Sequence, residues 1–258
     1  MDVDDVAHSC DPRAVSCGGP CGLCKGAGDW SWVQHERWLL FLQFRDDVRS
    51  RRRACVSLST IIANPNPNLD PDHLFSCLDK LSDLTGVGVR VKKIGPIKAK
   101  VYSTGLYAPK GSVINKCKSI KCNSASELAK SKAFEQAFTA AGFEKTIKLK
   151  MARTVGAEKM VEAISESVAP RLGGKDPKAL ATFKSILVDG LKDGGATNNM
   201  VFSFHCGKKL SIGIDGKHKG DVGSTALANA FVGVYMDSKS VSPALKDDVA
   251  KTVYGWCN

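Results

Sequence analysis

Apolar and polar residues alternate along much of the C-terminal two thirds of the chain. Val87, Val89 and Val91 recur at period two, as do Ile97, Ala99 and Val101 against Lys98 and Lys100. Ile147, Leu149 and Met151 alternate in the same way with Lys148 and Lys150. Period two places each set on one face of a strand. It predicts strands over 86–93 and 96–108 joined by a turn at Gly95, a strand over 143–153, and a hairpin of 200–205 with 209–215 around Gly207. The bland reading of the lysine rows is the wet face of a half-buried sheet.

Between these segments the period lengthens to that of a helix. Ser124-Ala125-Ser126-Glu127 has capping-box spacing and opens a helix to about residue 141, closed by Gly142. Further helices are expected over 157–172, stopped by Gly173-Gly174, and over 176–191, with Pro177 in its first turn. The last two cover 224–236 and the stretch from Ser242-Pro243 to about Tyr254, while Gly216 and Gly220 bracket a turn. Roughly five strands and five helices, clustered instead of alternating one for one, indicate an α+β fold with an antiparallel sheet and helices on one face.

The first third reads differently. Residues 1–81 show no sustained periodicity beyond short helical stretches at 33–45 and from residue 70, and Asn64-Pro65-Asn66-Pro67-Asn68 is a linker. The expected organisation is a poorly ordered extension over 1–81 and one domain over 82–258. The 258 residues are 43% hydrophobic and 24% charged, which excludes global disorder. No apolar run approaches the roughly 18 residues of a membrane span.

Charge separates the same two parts. Residues 1–80 hold 9 Lys+Arg and 11 Asp+Glu, a net −2, and the rest holds 28 and 15, a net +13. A nucleic-acid surface would interleave such cations with aromatics, yet the four Trp lie at 30, 32, 38 and 256, away from the lysine rows. Nucleic acid is therefore not expected as a partner.

Ten cysteines include one cluster, Cys17, Cys21 and Cys24. Its surroundings are Gly-rich, without elements to hold a closed four-ligand site, so neither a metal nor a cofactor is expected. The acidic start lacks a secretory h-region, so the protein reads as intracellular. Arg51-Arg52-Arg53 followed by hydroxyl residues has an organelle-transit flavour, and plastid or cytoplasm stays open.

Several chemistries drop out. Gly86-Val87-Gly88 has Val91 where a dinucleotide fingerprint needs its third glycine, and there is no phosphate loop. His205 and His218 adjoin no nucleophile elbow, which argues against a catalytic triad, and His218 reads as a solvated turn residue. Arg90 shares a strand face with Gly88 and Lys92, and is either one more solvated cation or an arginine at a cleft mouth, cleared by Gly88, that takes an anion bidentately. Tyr102 sits in the row of Lys98 and Lys100, which makes sense if that row runs under a cover at its far end. The two strands are adjacent, so both side chains can reach one anion.

The strings Gly86-Val87-Gly88-Val89-Arg90 and residues 94–107, followed by Ser203-Phe204, 210–216, Val234-Tyr235-Met236 and 241–246, resemble the chalcone isomerase family in order and content. The resemblance covers about 82–258. It implies an open-faced β-sandwich, a large antiparallel sheet with a helical layer enclosing a ligand cleft. True isomerases of this kind close a chalcone to a flavanone, with an arginine on the phenolate and a threonine and tyrosine on the ketone side. Arg90 matches that arginine, whereas Tyr102 falls where the threonine stands. The helix over 157–172 lacks the Tyr and Asn that isomerases place there, and a hydroxyl from the penultimate helix is sought at Ser224, Thr225 or nearby.

The resemblance at Arg90 and Tyr102 is to the non-catalytic, fatty-acid-binding members, which grip a carboxylate with such a pair. The implied function is binding of a long-chain fatty acid by Arg90 and Tyr102 without turnover. The alternative is an intramolecular lyase of flavonoid metabolism using Arg90, with no catalytic residue otherwise assignable. A third possibility is an auxiliary protein that acts on a pathway enzyme.

Overall fold

In the computed structural model the described residues are 82–258, apart from 95, 141, 192 and 193. The N-terminal extension, its linker and the Cys17, Cys21, Cys24 cluster lie outside them. Six strands run as an antiparallel meander in the order β1 (Asp83–Ile94), β2 (Ile97–Ala108), β3 (Lys145–Met151), β4 (Val201–Cys206), β5 (Leu210–Ile214) and β6 (Lys217–Val222). Three short helices, α1 (Lys110–Cys117), α2 (Ala125–Lys130) and α3 (Lys132–Thr139), separate β2 from β3. α4 (Ala157–Leu172) and α5 (Pro177–Leu191) separate β3 from β4, and α6 (Thr225–Met236) and α7 (Pro243–Cys257) close the chain. The α+β fold expected from the period pattern is the one found.

The alternation of side chains divides the sheet into two unlike faces. The inner face carries Tyr102, Leu106, Ile147, Leu149, Met151, Phe202, Phe204, Ile212 and Ile214, all buried. α6 lies against it. This helix is apolar all round and nine of its twelve residues are buried, as a helix between sheet and outer helices must be. Phe231 of α6 stands 4.4 Å from the Phe204 ring and 6.0 Å from Phe183 of α5, so one aromatic stack ties sheet, α6 and α5 together.

The outer face is polar, and there the expectation of a lysine-coated wet face is corrected. Lys98 and Lys100 are exposed, but Lys148 is only 5% exposed, and Ser103, Tyr107, Thr146, Ser203, His205 and Ser211 around it are buried too. The Lys148 ammonium lies 5.4 Å from the centre of the Tyr107 ring, a cation held over an aromatic face.

Three further corrections concern elements. β6 occupies the stretch read as a turn, and His218 stands on that strand, its Nε2 2.9 Å from Asp221 Oδ1. Its sequence, Lys-His-Lys-Gly-Asp-Val, has a single apolar residue because β6 is a sheet edge, where charged side chains are tolerated and protective. The single helix expected from residue 124 to about 141 is two helices, since Ser131 takes an extended conformation (ψ 127°) and its Oγ accepts from Phe134 N–H to cap α3. α1 was not foreseen, because only Val113 and Cys117 mark its buried side.

Candidate functional site

The site begins with two glycines that bring a helix onto a strand. A Cβ on Gly88 would lie 2.6 Å from Leu245 N and 2.7 Å from Ser242 Oγ, and one on Gly86 would lie 2.6 Å from Val249. Only side-chain-free positions allow α7 to press this closely on β1. Two hydrogen bonds hold the contact: Val87 N–H donates to Asp248 Oδ2 (2.9 Å) and Ser242 Oγ donates to Val89 O (3.3 Å). Val87 thereby finds an acceptor on α7, which laps the edge strand β1.

Arg90 follows on the same face, level with the start of α7. Its Nη1 donates to Val241 O at 2.8 Å, which aims the guanidinium along the α6–α7 turn. That turn is itself fixed to the end of α6, through Val241 N–H to Val234 O (2.9 Å) and Ser240 Oγ to Tyr235 O (2.7 Å). One connection therefore positions both Arg90 and Tyr235.

Across the β1–β2 ladder Arg90 stands directly opposite Tyr102, just before a register shift between Arg90 and Val91. Tyr102 leaves the exposed lysine row and passes under α6, where its hydroxyl lies 3.3 Å from that of Tyr235. The two strand residues named from the sequence are thus cross-strand neighbours, and the structure adds a third group, Tyr235.

The electrostatics follow from burial. Desolvation raises the Tyr102 phenol above its ordinary value, partly offset by the Tyr235 hydrogen bond and the positive field of Arg90. Tyr235 is pushed well above it, first by burial and then by the neighbouring Tyr102, with Arg90 again opposing. Both phenols are neutral at physiological pH and can donate. A guanidinium with five N–H groups and two neutral hydroxyls facing each other form a cradle of donors suited to a carboxylate.

Other candidate residues lie elsewhere. Ser224 Oγ accepts from Leu227 N–H as the N-cap of α6, and Thr225 Oγ1 donates to Lys208 O, so neither supplies the hydroxyl sought from this helix. Tyr235, at the opposite end of α6, is the one near Tyr102. A tyrosine ending an apolar helix needs a polar partner if it is buried, but nothing in the sequence says which end of that helix meets the sheet. On α4 the buried hydroxyl of Ser165 donates to Val161 O within the helix. His205 pairs with Thr146 on the outer face (2.8 Å), away from the Arg90 cluster. Among the described residues no group of three or more His, Cys, Asp or Glu could hold a metal ion, and no helix is long and apolar enough to cross a membrane.

Comparison with known proteins bears on the fold. The family model described as chalcone-flavanone isomerase matches residues 76–255. Among solved structures, the chain is similar to the Arabidopsis thaliana fatty-acid binding protein AtFAP1, with a TM-score of 0.60 and 25% sequence identity over 69% of this chain and 90% of that one. No curated protein sequence matches.

Proposed function

This chain belongs to the chalcone-flavanone isomerase family, and on that footing we propose that it binds a long-chain fatty acid without turning it over. The carboxylate is held by Arg90 and Tyr102, with Tyr235 as a third donor, and the acyl chain lies along the apolar inner face beneath α6. The observation that carries the reading is the pairing of one guanidinium with two neutral phenols whose hydroxyls are 3.3 Å apart. A carboxylate has about four lone-pair sites to satisfy, and this set answers most of them. Each methylene buried against that inner face adds about 0.8 kcal/mol. That the similar AtFAP1 is a fatty-acid binding protein supports the same ligand class.

Ring closure of a chalcone would also use Arg90, but α4 carries neither Tyr nor Asn for the ketone side. Lipid extracted from the purified protein and identified by mass spectrometry tests the proposal. A fatty acid in near-stoichiometric amount is expected. Protein free of acyl lipid that also fails to bind added fatty acid, or that accelerates chalcone cyclisation above the spontaneous rate, overturns it.

A further inference from the structure

Two residues beyond Tyr102 on the same face of β2 is Thr104. It is fully buried, and its Oγ1 has no hydrogen-bond partner. Its cross-strand neighbours are Gly88 on β1 and Leu149 on β3. Gly88 has no side chain and the Leu149 side chain is purely apolar, so neither neighbouring side chain can pair with a hydroxyl. Buried hydroxyls are nearly always paired, because an orphan forfeits its hydration without return, and one kept in a core calls for a reason. Valine has the same shape without that cost.

We propose that the Thr104 hydroxyl reads a second oxygen on the ligand, so that the preferred ligands are oxygenated fatty acids carrying a hydroxyl or keto group on the acyl chain. This inference rests on the fatty-acid reading of the site. With the carboxylate at Arg90, Tyr102 and Tyr235, Thr104 is the next inward-facing position along β2, one two-residue step of about 6.6 Å away. A plain methylene there leaves the hydroxyl unpaired in the complex as in the free protein. A ligand hydroxyl or keto oxygen placed there completes it. Sites built to hydrogen-bond a ligand oxygen discriminate strongly against analogues that lack it, because the protein group is otherwise stranded.

The test is calorimetric titration of the delipidated full-length protein with dodecanoic acid and with its series of monohydroxy isomers, on wild type, Thr104→Val, Thr104→Ser and Arg90→Ala. The expected result is that one or two adjacent isomers bind wild type at least tenfold more tightly than dodecanoic acid. Thr104→Val should erase that preference while leaving dodecanoic acid affinity within twofold, Thr104→Ser should keep it, and Arg90→Ala should weaken every acid alike. If no isomer outbinds dodecanoic acid, or if the preference survives in Thr104→Val, the inference is overturned and the fatty-acid reading stands. If no acid binds wild type at all, the fatty-acid reading itself fails, and this inference with it.

Discussion

Arg90 has two partners of different kinds, and they separate in mutants. Its bond to Val241 O is structural, while its charge acts on Tyr102 and Tyr235. Removing one phenol hydroxyl leaves the other without its buried partner and, in the proposed binding mode, deletes a donor to the carboxylate. Tyr235→Phe and Tyr102→Phe are each expected to weaken acyl binding about tenfold, close to the 1–2 kcal/mol of such a bond, with little change in fold. Fluorescence displacement titrations check this. Equal affinity in both variants would remove the phenols from the site. Because the phenols lie above their ordinary value, they stay neutral through pH 9, whereas a carboxylate near the reference value of about 4.3 is ionised well below pH 6. Affinity is therefore expected to be flat between pH 6 and 9, and a fall within that window would contradict the assignment. At this scale the adjacency of Arg90 and Tyr102 was legible because strand alternation fixes a face and adjacent strands fix a neighbour. Tyr235 was not, since an apolar helix carries no equivalent rule for which end meets the sheet.

The elements that build the site depend on close approach more than on burial. Gly88→Ala puts a methyl group within 2.6–2.7 Å of Leu245 N and Cβ, which cannot swing aside, and of Ser242 Oγ at the start of α7. It should cost about 3 kcal/mol and loosen the Arg90 contact as α7 moves outward. Gly111 in α1 is the control, since a Cβ there meets nothing within 4 Å and alanine should gain about 0.5–1 kcal/mol. Urea unfolding of the two variants measures both signs, and similar stabilities would mean that the α7–β1 contact is not as tight as described. Element legibility follows from the same physics. β2 to β5 each bury apolar residues and could be read, and β1 was legible from the alternation of Val87, Val89 and Val91 although only Val87 of the three is buried, whereas β6 is polar because it is an edge. The Ser131 break and α1 rest on single capping or contact residues inside a stretch whose overall period is helical.

Across the whole molecule, burial of ionisable groups sets the alkaline limit. Cys117 and Cys206 are pushed up to about 12, first by burial, and Tyr102 and Tyr235 are also raised. Each of these loses its proton more readily when unfolded, so each contributes stability below its unfolded value that is lost as pH rises toward the folded one. Lys145 works oppositely. Burial lowers it to about 8, so between about 8 and 10.5 the unfolded chain holds more protons and stability rises with pH. Cys122 and Cys257 are raised as well, so among the described residues Lys145 opposes six groups, and the expected urea midpoint declines gently from about pH 9 and steeply above about pH 10.5. A midpoint that rises across that range would contradict this balance. The polar outer face was the least legible part of the molecule: period two identified its lysines, but alternation alone does not say that a polar face is exposed, and Lys148 is not.

Whether Arg90 anchors a fatty-acid carboxylate is decided by calorimetric titration of hexadecanoic acid into delipidated wild-type and Arg90→Ala protein. Saturable one-to-one binding to wild type is expected, with at least a tenfold weaker Kd in the variant and an unchanged circular dichroism spectrum. Equal affinity in the two proteins would contradict it.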